Sequence, residues 1–361
     1  MPRLDGVVDA SNQRVCGMGD PAVRPEGHEY SGWLGVIIPS QFQAALARFD
    51  LGDFVDAEPT QAGWFKQTVF VTSTKGEYVL RGRPVVPWQF AKERFATTLL
   101  RERSRVPVAF PYLLDLSTDI FGWPYALMPR LPGVRGYDER LTVGERVWVA
   151  RAIGRNLATM QETTWAFPGD YDEATDTIRP FPHGYARWFV EDVRGMLSSS
   201  LARGFLTPED VEWSEALISR TAPALEAPLR PRFVMGDYHP DNVLVTCEDG
   251  EWRVSGLVDL PTYHFGAREP DLTRLVGVYL DWMNHKDPRL AQAVGAAYVE
   301  AAPPEPGFGD RYALAMLRDR MQILVFEKGR ALRPFPPYGW SFREYVERHV
   351  ASYRLFAPDA A

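Results

Sequence analysis

The sequence predicts an α+β protein of two lobes, the first rich in strands and the second rich in helices, with a cleft between them. Three observations predict it. Short β-type runs with tight turns crowd the stretch 64–129, and helical periodicities dominate from Thr142 onward. Between them, Met128-Pro129-Arg130-Leu131-Pro132-Gly133 is a sharp Pro/Gly break that places a lobe boundary near residue 131. A chain of 361 residues, at roughly 150 per domain, is long enough for both.

Residues 1–35 carry Gly, Asp and Arg without clear periodicity and are read as an N-terminal extension. The first lobe then spans 36–131 and the second 132–361. A helix is expected from Ser40, whose hydroxyl can cap backbone amides ahead of Phe42, Leu46 and Phe49 at helical spacing. Trp64–Thr74 and Glu77–Gly82 read as a hairpin across Lys75-Gly76. After the Pro84–Pro87 break, Phe90, Phe95, Leu99 and Leu100 mark a helical face in Trp88–Arg103, and Val106–Asp115 and Trp123–Pro129 read as further strands. In the second lobe Thr142 and Glu145 form the pattern of a capping box opening a helix over Thr142–Thr164. Further helices are expected at Gly184–Ser200, Thr207–Ala222, Asp271–Trp282, Pro288–Glu300 and Asp310–Ala331. Short strands are expected at Arg232–Val234, Val243–Thr246 and Glu251–Val258.

Composition narrows the function. The content is 45% hydrophobic and 13% aromatic, so a packed core is expected rather than a disordered chain. A net charge of -7 disfavours nucleic acid and anionic membranes as partners. Cys16 and Cys247 form neither a metal-type spacing nor a disulfide framework, which fits a reducing compartment. The N-terminus lacks a signal-peptide pattern and no apolar stretch reaches membrane-spanning length, so a soluble cytoplasmic protein is expected, monomeric or dimeric.

The densest polar constellation is Phe233-Val234-Met235-Gly236-Asp237-Tyr238-His239-Pro240-Asp241-Asn242, followed by Gly256-Leu257-Val258-Asp259. Asp237 and Asn242 lie five apart across a Pro-containing loop, and Asp259 ends the next hairpin. Two carboxylates and an amide on such loops can converge on one point, which suits phosphoryl transfer: one carboxylate orients an acceptor hydroxyl, and oxygen ligands hold Mg²⁺. Alone, each residue reads as an ordinary turn or strand-end group; the ordered triplet carries the weight.

This pattern resembles the catalytic and metal-binding motifs of the aminoglycoside phosphotransferase family, similar in fold to protein kinases, with the hygromycin-modifying members nearest. The resemblance implies that Asp237 is the catalytic base, with His239 beside it in the loop, and that Asn242 and Asp259 hold Mg²⁺. Tyr125–Gly133 resembles the family's hinge, whose backbone at Met128 and Arg130 would receive adenine. Glu77–Arg81 resembles its third strand, and Glu93 its helix-C glutamate. Gly266-Ala267-Arg268-Glu269-Pro270-Asp271-Leu272 resembles the segment after the metal aspartate. The match covers roughly residues 55–280. The chain departs from the pattern in placing Arg81 where Lys is usual, Met235 where His is usual, and Leu260 for an aromatic. Its phosphate loop is poor in glycine, with only Gly63 in Gln61-Ala62-Gly63-Trp64. Arg81 keeps the charge and can fork two phosphate oxygens, although an ion pair with Glu93 is the competing reading.

The implied activity is transfer of the γ-phosphoryl group of ATP or GTP to a hydroxyl of a small molecule. Aminoglycosides are the favoured acceptors, their O-phosphorylation conferring resistance; macrolides and small hydroxylated metabolites are alternatives. A polycation would want carboxylates, and Glu191, Asp192, Glu269, Asp281 and Asp287 sit in segments that can face the cleft. Asp271, a further candidate to face the acceptor, is expected chiefly to brace the catalytic loop. Trp282 and Tyr338-Gly339-Trp340-Ser341-Phe342 offer an apolar wall instead. A nucleotide-binding regulator without turnover is a further alternative. A protein kinase is disfavoured because only about eleven residues separate Asp259 from Asp271, too few for an activation segment.

Overall fold

A computed structural model describes residues 27–60, 66–281, 287–330 and 335–357. Gly63 and Trp282 lie outside the described residues. The first lobe begins with an antiparallel hairpin, β1 (His28–Ser31) and β2 (Gly35–Ile37), then α1 (Pro39–Arg48). The expected extension is therefore shorter than 35 residues: Leu34 is buried, and the Trp33 indole donates to the Arg83 carbonyl at 2.8 Å, fastening the hairpin to the sheet. Strands β3 (Phe54–Pro59), β4 (Thr68–Ser73) and β5 (Gly76–Gly82) follow. After α2 (Gln89–Arg103) come β6 (Leu113–Asp115) and β7 (Tyr125–Pro129), giving a five-stranded sheet in the order β3-β4-β5-β7-β6. The strand expected over Val106–Asp115 shortens to its last three residues; Pro107 and Pro111 have no N–H to give a ladder.

Period-two alternation builds this lobe in layers. Val69, Val71, Leu80 and Leu127 turn to one face and pack with Leu34, Phe42 and Leu46 of the hairpin and α1. The neighbouring Ala126 turns to the other face and packs against Phe90 of α2.

The second lobe starts at β8 (Val134–Arg135), which pairs with β12 (Val243–Glu248) rather than with the first sheet. Helix α3 (Val143–Met160) opens with the expected capping box: the Glu145 amide donates to the Thr142 hydroxyl at 3.3 Å, and the Thr142 amide to the Glu145 carboxylate at 2.8 Å. A hairpin missed in the sequence, β9 (Gly169–Asp172) and β10 (Thr177–Pro180), precedes α4 (Tyr185–Ala202) and α5 (Pro208–Thr221). Then come β11 (Arg232–Val234), β12 (Val243–Glu248), β13 (Glu251–Leu257) and β14 (His264–Gly266). The chain ends with α6 (Glu269–Asp281), α7 (Pro288–Ala301), α8 (Phe308–Arg330) and α9 (Phe342–Val350). Strands β11 and β14 pair, with Val234 opposite His264, so the segments on either side of the candidate loop are tied together.

Helices α3 and α7 cross at Gly154, where a Cβ would stand 2.7 Å from the Val294 carbonyl oxygen. Backbone cannot withdraw as a flexible side chain can. Gly154→Ala should therefore lower stability by about 1–3 kcal/mol despite its better helix propensity, read as a lower melting temperature.

Candidate active site

The loop after β11 is shaped by one carboxylate. Asp271, on the first turn of α6, accepts the Met235 amide at Oδ2 and the Gly236 amide at Oδ1, each at 2.8 Å. Gly236 has φ +81°, and a Cβ there would approach the Thr262 carbonyl oxygen to 2.7 Å, so glycine is required at this turn. The Thr262 hydroxyl donates to the Met235 carbonyl at 2.8 Å. Tyr238 plants its ring in the core, its hydroxyl 3.0 Å from both the Ile153 carbonyl and the Asn156 amide oxygen. Asp271 thus braces the loop, as expected. Burial pushes its carboxyl up to about 7, while the two amides pull the other way.

Asp237 emerges from this turn partly exposed, with both oxygens engaged. Oδ1 accepts Nε of Arg274 at 2.8 Å and meets an Nη of the same guanidinium at 2.7 Å. Oδ2 accepts Nδ2 of Asn242 at 3.1 Å and lies 3.4 Å from Nε2 of His239. Burial alone would raise the Asp237 carboxyl, but Arg274 and His239 hold it well below the usual carboxylate range. His239 contacts Asn242 as well as Asp237, which is the geometry of a loop-orienting residue.

Asn242 is buried and spends its amide nitrogen on Asp237, leaving its carbonyl oxygen as the end a cation would take. The Val258 amide donates to the Asn242 backbone carbonyl at 3.0 Å, bringing the strand end that carries Asp259 beside the loop. Asp259 has φ +66°, a left-handed conformation that non-glycine residues other than Asn and Asp rarely adopt. Among the described residues no three His, Cys, Asp or Glu side chains gather into a metal cluster. The donor set that is present, an amide oxygen and a carboxylate, fits Mg²⁺, which takes few protein oxygens and completes its shell with water and phosphate.

Arg81 on β5 reaches across the cleft to join the lobes. One Nη lies 3.1 Å from Glu93 of α2, and the other 2.7 Å from Oδ1 of Asp259. Glu93 also accepts the Tyr112 hydroxyl at 2.7 Å. Burial pushes Glu93 up to about 7 against the pull of Arg81. The ion pair with Glu93 expected as the competing reading is present, and the second Nη of Arg81 is spent on Asp259 of the other lobe.

At the hinge the register moves the expected contact. The Arg83 amide donates to the Pro124 carbonyl and the Arg130 amide to the Glu77 carbonyl, so alternate β7 residues, Met128 included, turn their backbone groups toward β5. The Met128 backbone and the Arg130 amide are thus spent on β5. Strand β6 opposes Tyr125–Leu127 and stops short of Pro129, whose carbonyl by alternation turns away from β5. The Arg130 side chain packs over Phe70, 3.9 Å from the ring centroid.

The carboxylates proposed for a cationic acceptor are already occupied. Glu269 is buried against Arg311 at 2.9 Å, and Asp281 against Arg320 at 2.6 Å and His349 at 2.9 Å, so neither faces an open cleft. Glu191 pairs with Arg187 and Asp192 with Arg318, at 2.7 and 2.6 Å. Asp287 caps α7 and pairs with Arg289. Arg274 and Pro129 were missed in the sequence. Arg274 had a signal: it stands three residues after Asp271, on the same helix face.

Glu93→Gln tests the cleft-spanning pair. A carboxyl whose pKa is higher in the fold than in the unfolded chain loses stability as pH rises between the two values, here from about 4.5 to about 7. The substitution should flatten the pH dependence of unfolding in that window and raise the nucleotide KM about tenfold, measured by denaturant titration and steady-state kinetics. Asp271→Asn leaves one loop amide facing an N–H; a loss of about 1–3 kcal/mol is expected in the same unfolding assay.

Comparison with known proteins identifies the family and the fold. A sequence profile of the phosphotransferase enzyme family matches residues 56–309. The homoserine kinase of Paraburkholderia phytofirmans is 29% identical over 168 residues, 44% of this chain and 47% of that protein, so the chain spans about half the length of the curated relatives it matches. A structure assigned to a fructosamine-3-kinase of Thermobifida fusca superposes with a TM-score of 0.56 at 20% identity, covering 88% of this chain and 99% of the other. A thermostable aminoglycoside phosphotransferase variant in ternary complex with ADP and hygromycin B gives 0.53 at 15% identity, covering 86% and 97%. At these identities the structures speak for the fold alone, the bilobal kinase-like α+β arrangement expected from the sequence. The profile match covers well over half of the chain, and the protein belongs to the phosphotransferase enzyme family.

Proposed function

We propose that the protein transfers the γ-phosphoryl group of ATP or GTP to a hydroxyl of a small-molecule acceptor. The observation that carries this reading is the convergence of Asp237, Asn242 and Asp259 with Arg81 at the mouth between the lobes. The Pro129 carbonyl would accept the adenine amino group. Arg81 would contact the phosphates, with Glu93 behind it. Asn242 and Asp259 would hold Mg²⁺, which when bound neutralises charge on the phosphate oxygens. Asp237, kept ionised by Arg274 and His239, would accept a hydrogen bond from the acceptor hydroxyl and aim its oxygen at the γ-phosphorus. Such a carboxylate orients better than it abstracts, and the loose transition state of phosphoryl transfer needs little base strength. As the new ester bond forms, the bond to the leaving nucleoside diphosphate breaks and the hydroxyl proton would leave late, through Asp237, to solvent.

Aminoglycosides, and with them a resistance role, are supported by resemblance and by the hygromycin-bound neighbour. A second reading has its own support: the five candidate carboxylates are each paired with an arginine, so a polycation would have to displace guanidinium groups. That arrangement favours a hydroxylated acceptor with few cationic groups.

The experiment is Mg²⁺-dependent ADP or GDP release against aminoglycosides, macrolides and small amino and sugar alcohols, with Asp237→Asn in parallel. Acceptor-dependent release that falls about 10³-fold or more in the variant is expected. Equal turnover by parent and variant would remove Asp237 from the mechanism. A response to neutral alcohols but not to polycations would decide between the two acceptor classes.

A further inference from the structure

We propose that Arg274 is the positioning residue of the site: it grips one oxygen of Asp237 so that the other is presented to the acceptor hydroxyl. The proposal rests on the phosphotransferase reading above and assigns the part that no motif of that reading supplies. Arg274 places both Nε and an Nη on the same oxygen, Oδ1, at 2.8 and 2.7 Å. Oδ1 is thereby saturated. Oδ2 accepts a hydrogen bond from Asn242 and faces Nε2 of His239 at the longer distance of 3.4 Å, a contact that an incoming hydroxyl can replace. A carboxylate held at one oxygen by a planar fork cannot rotate about its χ2 without breaking charge-assisted bonds, so the presented oxygen stays in place.

The guanidinium is itself anchored. Its other Nη lies 3.7 Å from Oδ1 of Asp319 on α8. The second oxygen of Asp319 is taken by Arg320, which also reaches Asp281 at 2.6 Å. Asp281 in turn meets Nε2 of His349 on α9 at 2.9 Å and accepts the Tyr345 hydroxyl. Asp319, Arg320, Asp281, Tyr345 and His349 are all buried. A buried chain of alternating charges is a poor way to gain stability, because desolvation offsets most of the attraction. It does fix positions, and its one partly exposed end is Asp237. The three helices α6, α8 and α9 therefore converge, through charge, on a single carboxylate.

The test compares Arg274→Ala, Arg274→Lys and Asp237→Asn in the full-length protein, with ATP, Mg²⁺ and the best acceptor of the panel, or with water as acceptor. Melting temperatures and binding of a non-hydrolysable ATP analogue report folding and the nucleotide site independently of turnover. Arg274→Ala should lose about 10²-fold in kcat with the ATP KM within about twofold, since misplacing a reacting group costs that much without touching the nucleotide. Millimolar guanidinium should restore about tenfold of the loss, and Arg274→Lys, a single-point cation, should fall between the two. Where Arg274→Ala does not fold, the lysine variant carries the test, with kcat reduced and analogue binding intact. The proposal is overturned if a folded Arg274→Ala protein keeps kcat within about threefold of the parent while Asp237→Asn is inactive, or if guanidinium leaves its kcat unchanged. Parent-like turnover by Asp237→Asn would instead refute the underlying reading, and this proposal with it.

Discussion

Two side chains on one face of α6 hold the loop on which the site depends. Asp271 receives the amides of Met235 and Gly236 and so sets the turn; Arg274, three residues further along, receives the carboxylate that the turn delivers. Residues three apart on a helix stand side by side, so backbone and side chain of the same loop are fixed from a single rigid element. The left-handed Gly236, the stitched pairing of β11 with β14, and the Tyr238 anchor in α3 all follow from seating that loop against α6. The buried Asp271 sits at a cost in desolvation, which its two amide donors offset.

The cleft depends on a different contact. Arg81 extends from the first lobe to Asp259 of the second while leaning on Glu93 of α2. Helix α2 is held in turn by the second lobe, since Lys92 pairs with Asp170 of the β9–β10 hairpin at 2.6 Å and Phe95 packs on Tyr171 with ring centroids 5.5 Å apart. Glu93 therefore sits on a helix clamped to the second lobe. The arginine at this position suits such a bridge, because its fork can serve two carboxylates at once where a lysine ammonium would offer one point.

Much of this was legible in the sequence because local chemistry carried it. The Thr142–Glu145 capping box and the Lys75-Gly76 turn are short-range patterns that stand in the structure where expected, and Asp237 and Asn242, five apart, are in hydrogen-bond contact. What the sequence hid depends on pairing across long distances. The β9–β10 hairpin is four residues a side with little apolar alternation, and its place is set by partners on α2 and β14. At the hinge, register against β5 decides which backbone groups of β7 are spent on pairing. Glu269 and Asp281 looked like candidate ligands for a cation, but Arg311 and Arg320, some 40 positions away, bury them. Charge pairing of that kind leaves no mark in local sequence.

The most direct measurement is ³¹P NMR of the full-length protein with ATP, Mg²⁺ and the hydroxyl panel. The account predicts a phosphomonoester resonance that grows in step with ADP and is absent from the Asp237→Asn variant. Inorganic phosphate as the only product, or an ester formed equally by the variant, would contradict it.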